Sequence, residues 1–214
     1  GTNFKLMFSS AQEFDKDIGS WDVSNGRDFF YMFTGAKNFN RDIGSWDVAK
    51  ATDFGGMFAF ASRFNQNISG WDVSNGTNFS KMFWTNRDFN QDLSSWDVAR
   101  ARDFTGMFSN TYFNQDIGNW DVSNGVNFRG MFDGATYFNQ DISMWDVSNG
   151  NYFYSMFYDA NAFDQDISYW NISSGQYRPG FANFSPFWGM LSSADTMNER
   201  GWSGTPSSSD FLGQ

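Results

Sequence analysis

The sequence predicts a repeat solenoid, in which short units of one design stack along an axis. Phenylalanine recurs in three sets of seven with a period of 25 residues, broken once by a spacing of 24. Tryptophan keeps the same period, at Trp21, Trp46, Trp71, Trp96, Trp120, Trp145 and Trp170. A unit of this size cannot bury its own apolar side, whereas stacked copies cover one another.

The first half of each unit is predicted to form a short helical segment. It reads F-x-x-M-F-x-x-A-x-x-F, as in Phe29 to Phe39, with apolar residues at i, i+3, i+4, i+7 and i+10. That spacing is typical of one face of a helix. Because the segment covers only about three turns, a short α-helix or a 3₁₀ piece is expected.

The second half of each unit is predicted to form a short strand and a turn. It reads I-x-x-W-D-V-S-N-G, where Trp and Val alternate around Asp. This alternation is typical of a strand with Trp and Val inward and Asp outward, and S-N-G favours a turn. Strands from successive units are expected to pair in register in one parallel sheet.

Two domains are predicted, a seven-unit solenoid over 1–175 and a non-repeat C-terminal region over 176–214. The second region contains all three prolines, Pro179, Pro186 and Pro206, and a Ser/Gly-rich tail. It is interpreted as a cap with a flexible tail, or as an arm that docks on a neighbouring molecule. The first unit begins inside a repeat, so a preceding segment or another molecule is expected to cover it.

Composition excludes several classes of function. The chain has no cysteine and no histidine, which excludes disulfides, thiol nucleophiles and Ser-His-Asp triads. A net charge of −10 predicts that the chain does not bind nucleic acid. No apolar run is long enough for a transmembrane helix, so membrane insertion is not expected. The chain is predicted not to be an enzyme, because near-identical Asp positions lack the asymmetry of a catalytic carboxylate pair.

The strings Phe64–Asn75 and Phe138–Asn149, together with the pattern N-F-x-x-M-F, resemble a known tandem repeat of unknown function. That repeat occurs in mycoplasma surface lipoproteins and in BspA-like surface proteins, and it is related to leucine-rich repeats. The resemblance implies leucine-rich-repeat-like coils, each with a short strand and a short helical or 3₁₀ segment. It also implies an extracellular or cell-surface location and no enzymatic activity.

The chain departs from that family pattern at two places in each unit. Gly or Ala stands where the family usually has Val, as at Gly26 and Ala51, and Phe stands where it has Met, as at Phe29. The lost methyl groups and the added ring volume are expected to compensate one another.

A contact face is predicted at the variable positions of the repeat, where eight aromatic residues lie. Exposed aromatic side chains on a repeat often form a binding surface. The predicted face consists of Tyr31, Phe60, Trp84, Tyr112, Tyr137, Tyr154, Tyr158 and Tyr169.

Two periodic rows of Asp admit two interpretations. The first is structural, with each carboxylate accepting hydrogen bonds from N–H groups of a turn. The second is calcium binding, with Asp92, Asp116 and Asp141 as candidate ligands. No other cofactor is expected. A periodic row of Asn is predicted to satisfy the backbone at a bend, and Asn67 and Asn78 are candidate glycan carriers if the protein is secreted by a eukaryote.

These observations predict a non-catalytic structural or adhesive module of a cell surface or extracellular assembly. Its expected partners are other protein subunits, including copies of itself joined head to tail. The alternative is a calcium- or glycan-binding module that uses the Asp rows and the exposed aromatic residues.

Overall fold

The computed structural model describes residues 1–173. We divide this part of the chain into seven coils, each beginning at the first Phe of its repeat. The coils span residues 4–28, 29–53, 54–78, 79–103, 104–127, 128–152 and 153–173. The predicted C-terminal region over 176–214 lies outside the described residues.

The predicted fold class is wrong in its secondary structure. Residues 1–173 contain no α-helix and no 3₁₀-helix, and therefore no helix able to cross a membrane. They also contain no strand longer than one residue, so the expected parallel sheet is absent from this part of the chain. Strand pairing is limited to isolated parallel bridges that join Asn3, Asp28, Asp53, Asn78, Asp103, Asn127 and Tyr152 in succession.

The segment predicted to be helical is instead a series of tight turns. In the second coil, the Met32 N–H donates to the Phe29 carbonyl at 3.0 Å, and the Ala36 N–H donates to the Phe33 carbonyl at 3.0 Å. The residue before each of these donors has a positive φ, as in a type II turn. A residue in the left-handed region at every fourth place is incompatible with an α-helix.

The left-handed residues occupy the same two places, third and seventh, in every coil. The third place is filled by Leu6, Tyr31, Gly56, Lys81, Gly106, Gly130 and Ser155. The seventh place is filled by Ser10, Gly35, Phe60, Thr85, Asn110, Gly134 and Asp159. Nine of these fourteen residues are not glycine, so the conformation is imposed by the stack rather than by local preference.

The other backbone hydrogen bonds in this segment run between coils. The Phe29 N–H donates to the Asp53 carbonyl at 2.9 Å, and the Phe33 N–H donates to the Met57 carbonyl at 2.9 Å. The N–H groups of the left-handed residues do the same, as in the bond from Gly35 to Ala59 at 2.8 Å. Each coil therefore satisfies the polar backbone of its neighbour, which a helix would satisfy internally.

The interior is a set of aromatic columns that run along the stack. The rings of Phe39 and Phe64 are parallel at 5.8 Å, and the indoles of Trp46 and Trp71 stack at 6.4 Å. The Trp46 Nε1–H donates to the Ile18 carbonyl of the preceding coil at 3.1 Å. The same bond recurs at Trp71, Trp96, Trp120, Trp145 and Trp170.

The prediction that Trp and Val face inward and Asp faces outward is confirmed in coils 2 to 6. In coil 7, Trp170 and Ile172 are buried, and Asn171, which stands in the place of the Asp, is exposed. Val23 of the first coil is buried as well, whereas its Trp21 is 39% exposed. The expected exchange of volume between Gly and Phe is also confirmed. A side chain on Gly76 would collide with the ring of Phe79, which fills that space.

The stack has one irregular place in its interior, between coils 4 and 5. The eighth residue of a coil is Ala elsewhere, but it is Asn86 in coil 4 and Thr111 in coil 5. The Asn86 Nδ2 donates to the Phe64 carbonyl at 3.1 Å, while its buried Oδ1 accepts no hydrogen bond. The Thr111 hydroxyl donates to the Phe108 carbonyl at 2.7 Å. The 24-residue repeat, which lacks one residue, falls in coil 5.

Candidate contact surface

Exposed apolar side chains are concentrated on coils 5 to 7. Five residues of the predicted contact face are exposed there, namely Tyr112, Tyr137, Tyr154, Tyr158 and Tyr169. Coils 2 to 4 expose only one large apolar side chain among the described residues, that of Phe60. Tyr31 and Trp84 are only partly exposed, so they are weaker members of the predicted face.

Two exposed residues of this surface were missed by the sequence prediction. Met144 is 86% exposed and occupies the same place in coil 6 that Tyr169 occupies in coil 7, directly before the periodic Trp. Tyr152 is 38% exposed and ends coil 6 at the bridge position. Repeat alignment could have indicated Met144, whereas the prediction considered only aromatic residues.

Net charge also differs between coils 2 to 4 and coils 5 to 7. Residues 29–103 contain eight Lys or Arg and eight Asp, so coils 2 to 4 are neutral. Residues 104–173 contain eight Asp and a single basic residue, Arg129, which gives a net charge of −7. The tyrosine-rich half is therefore also the acidic half.

Tyr112 and Tyr137 form the best-defined pair on this surface. Their rings meet edge to face with 5.1 Å between centroids, and they come from the same place in two neighbouring coils. The Arg87 guanidinium lies 5.8 Å from the centroid of the Tyr112 ring. The two tyrosines thus form a fixed aromatic ridge across the coils, of the kind that often anchors a binding partner.

A shallow groove lies on the face of the stack formed by the tight turns with left-handed residues, which we call the turn face. It has a volume of about 380 Å³ and runs over coils 4 to 7. Lys81 and Trp84 close one end, with the Lys81 Nζ 4.9 Å from the Trp84 ring centroid. Arg129 lies similarly over Tyr154, at 5.6 Å.

The two predicted Asp rows form turns within their own coils. The carboxylate Oδ1 of Asp92 accepts the Ser94 N–H at 2.8 Å, and that of Asp141 accepts the Ser143 N–H at 2.9 Å. Bonds from the backbone and hydroxyl of Ser94 lower the pKa of Asp92. Asp116 accepts the Gly118 N–H at 2.9 Å. Within residues 1–173 no three acidic side chains cluster as a metal site would require, so these contacts give the calcium interpretation no support.

A third row of Asp and Asn was missed by the sequence prediction. It lies at the bridge position, where the Oδ1 of Asp28 accepts the Phe30 N–H at 3.0 Å and that of Asp53 accepts the Gly55 N–H at 2.9 Å. Asp53 is half-buried, and this burial, together with the charge of Asp28, raises its pKa. The row was detectable, since Asp or Asn recurs there with the same period in six of seven repeats.

The predicted structural role of the Asn row is confirmed. The Asn40 Oδ1 accepts the Asn65 N–H of the next coil at 3.0 Å, and the Asn65 Oδ1 accepts the Asn90 N–H at 3.0 Å. Glutamine side chains reinforce the row, as in the bond from Gln66 Nε2 to Asn40 Oδ1 at 2.8 Å. At the first coil the acceptor is Asp15, which also pairs with Arg41 at 2.6 Å.

The two candidate glycan carriers differ in their surroundings. Asn67 is exposed, and its Oδ1 accepts the Ser69 N–H at 2.9 Å. Asn78 is partly buried, and its Nδ2, the atom that would carry a glycan, donates to Asp53 at 2.8 Å. The geometry therefore favours Asn67 over Asn78 as an acceptor.

The stacked coils and their divergent outer surface define a tandem-repeat domain. The family described as "Mycoplasma protein of unknown function, DUF285" matches residues 2–112 and 109–192. The chain belongs to this family, which confirms the resemblance seen in the repeat motif. No curated protein and no solved structure matches the chain.

Proposed function

We propose that this repeat domain is a non-catalytic contact module of a cell surface or extracellular assembly, and that it binds a protein partner through coils 5 to 7. The observation that carries the proposal is the contrast between the constant interior and the variable exterior. Tyrosines cluster on the same coils that lose nearly all their basic residues. Tyrosine is enriched in protein interfaces because it offers a large apolar ring and a polar tip.

The charge of this surface favours a basic protein surface as the partner. Coils 5 to 7 carry a net charge of −7, which repels phosphate backbones and anionic lipid headgroups. Electrostatic complementarity would speed association with a basic partner and make it sensitive to salt. The ridge of Tyr112 and Tyr137 would supply the apolar anchor of such an interface.

The turn-forming role of the Asp carboxylates supports a function without catalysis. General acid–base catalysis by two carboxylates needs environments that push their pKa values apart. Here the repeated bonds from serine lower the pKa values of Asp72, Asp92, Asp121 and Asp141 alike. These carboxylates are occupied in holding turns.

Adhesion of protein-coated beads tests the proposal. The beads would be presented to cultured cells and to a panel of immobilised basic and acidic extracellular proteins, at low and high salt. We expect adhesion to basic targets that weakens with salt and is lost in the variant Tyr112→Ser/Tyr137→Ser. Phe60→Ser, the matched change of an exposed aromatic residue on coil 3, should retain adhesion.

Equal loss in both variants, or adhesion to no target, would contradict the proposal. Head-to-tail self-association stays a separate prediction, which negative-stain electron microscopy of the concentrated protein tests. Ordered filaments would support it, and uniformly small single particles would count against it.

A further inference from the structure

The groove on the turn face has a floor made of two glycines. Gly106 and Gly130 occupy the third place of coils 5 and 6, with positive φ values of 58° each. A Cβ built on Gly106 would lie 3.6 Å from the Lys81 Cγ. A Cβ built on Gly130 would lie 3.6 Å from the Asp133 Cβ. A Cβ at either position would make ordinary van der Waals contacts and no collision, so no aromatic ring covers the floor.

The corresponding glycine of coil 3 shows that an uncovered floor is not a general property of the stack. The ring of Tyr31 lies where a side chain on Gly56 would be, and the ring of Phe30 approaches Gly55 closely. Coils 2 and 3 therefore fill this part of the turn face with their own aromatic rings. In coils 5 and 6 the neighbouring residues at these places are small or polar, and the space stays open.

The walls of the groove present charged groups of both signs. The carboxylate of Asp133 is half-buried and, within residues 1–173, accepts no hydrogen bond and forms no ion pair. Burial, and then the charge of Asp159, raises the pKa of Asp133. Lys81 and Arg129 line the same groove as donors and are held over the rings of Trp84 and Tyr154.

These groups narrow the chemistry of a ligand. A phosphate or sulfate would be repelled by Asp133, and a cationic group would be repelled by Lys81 and Arg129. A neutral molecule with several hydroxyls can donate to the carboxylate and accept from the two cations at once. A volume of about 380 Å³ lies in the range of small-ligand sites.

We infer that the groove floored by Gly106 and Gly130 binds a neutral saccharide. This inference rests on the proposed function only in assuming a binding module, because it concerns a site separate from the ridge of Tyr112 and Tyr137. A short oligosaccharide would lie along the glycine floor between Trp84 and Tyr154. Asp133 would accept hydrogen bonds from its hydroxyl groups.

Filling the floor with a residue that tolerates the left-handed backbone gives the sharpest test. Gly130→Asn places a side chain in the groove, and Asn is among the residues that tolerate the left-handed region. Gly35→Asn is the matched control, since Gly35 has a φ of 68° and lies on coil 2, away from the groove. Asp133→Asn removes the charge and keeps the shape of the side chain.

Saturation-transfer NMR and calorimetry would be run with neutral gluco-, galacto-, manno- and N-acetylhexosamine oligosaccharides, and with sialylated and sulfated ones. We expect a neutral class to bind the native protein and the Gly35→Asn variant at millimolar concentration or better. Gly130→Asn should abolish this binding. Asp133→Asn should weaken it by about tenfold or more, as for loss of a charged hydrogen bond.

Two outcomes would overturn the inference. One is that no neutral saccharide binds at millimolar concentration, and the other is that Gly130→Asn binds as well as Gly35→Asn. Binding of sulfated saccharides alone would also contradict the assigned chemistry. The variant Tyr112→Ser/Tyr137→Ser changes no residue that lines the groove, so failure of the saccharide site and failure of the protein contact surface are distinguishable.

Discussion

Coils 2 to 4 and coils 5 to 7 share one interior and carry different exteriors. The Trp46–Trp71 pair and the Trp120–Trp145 pair have the same centroid separation of 6.4 Å, with rings parallel to within 3°. Outside, coils 2 to 4 are electrically neutral and mostly polar, whereas coils 5 to 7 are acidic and rich in exposed tyrosine. Stacking restricts what faces inward, so differences between repeats accumulate on the surface.

The largest expected effect tests whether the interiors of coils 2 to 4 and coils 5 to 7 are equivalent. Trp71→Ala and Trp145→Ala should each lower the free energy of unfolding by about 3–5 kcal/mol. Each indole is 3% exposed and donates to an isoleucine carbonyl at 3.1 Å. Urea unfolding followed by circular dichroism measures both. If only one substitution destabilises the protein, the two halves do not share one interior.

A smaller effect tests whether the backbone is equivalent in both halves. Gly35→Ala and Gly106→Ala should each destabilise the protein by about 1 kcal/mol, because both glycines have positive φ and room for a Cβ. Thr85→Gly should instead stabilise the protein, because Thr85 has a φ of 58°, which glycine adopts at lower cost. The readout is the thermal midpoint of each variant beside the native protein. Stabilisation by either alanine would show that the left-handed turns are not present in solution.

The junction between the two halves contains a buried amide with an unsatisfied oxygen. Asn86→Ala restores the residue found at this place in most coils, and it should raise the free energy of unfolding by about 1 kcal/mol. Ala61→Asn, the reverse change in coil 3, should destabilise. Both are measured by urea unfolding. Loss of stability in Asn86→Ala would mean that the bond from Asn86 to the Phe64 carbonyl outweighs the unsatisfied oxygen.

The smallest expected effect is on the pKa of one carboxyl group and on its contribution to stability at low pH. In the acidic half, the hydroxyl of Ser123 and then its N–H lower the pKa of Asp121 below its ordinary value of 3.8. A carboxyl with a lower pKa in the folded state adds stability above its unfolded pKa, and this stability is lost as pH falls through the folded pKa. Ser123→Ala should therefore raise the pKa of Asp121 in an NMR carboxyl titration and reduce the part of the acid-dependent stability that this group contributes. An unchanged pKa would refute the assigned cause.

The pKa of Asp133 is shifted in the opposite direction to that of Asp121, so Asp133 serves as an internal control in the same titration. Its pKa is raised by burial, so ionisation of this group disfavours the folded state above its unfolded pKa. Protonation as pH falls through the raised pKa relieves that cost. A titration in which both Asp121 and Asp133 shift in one direction would contradict the two environments described for them.

Much of the surface could be predicted from the sequence, but the groove could not. Tyr112, Tyr137 and Tyr169 were predicted by their variable places in the repeat, and Met144 shares such a place. The groove depends on Tyr31 covering Gly56 while no ring covers Gly106 or Gly130. That difference arises from side-chain directions across neighbouring coils, which spacing along the chain does not encode.

The failed helix prediction has a specific physical cause. The spacing in Phe29 to Phe39 correctly predicts which residues face inward, since all of its periodic apolar residues are buried. A series of tight turns places the same residues inward as a helix does, so the pattern cannot separate the two. Non-glycine residues such as Lys81 and Thr85 hold left-handed places, so no local signal marked the turns.

The sequence by itself determined the period, the composition of the interior, the outward Asp rows and the Asn row that joins the coils. Only the tertiary structure decided that backbone hydrogen bonds run from coil to coil and that two residues in each coil are left-handed. The reason is that side-chain patterning is a property of one repeat. The partner of a backbone N–H group is a property of the stack, because a neighbouring coil supplies the carbonyl that holds an otherwise unfavourable φ.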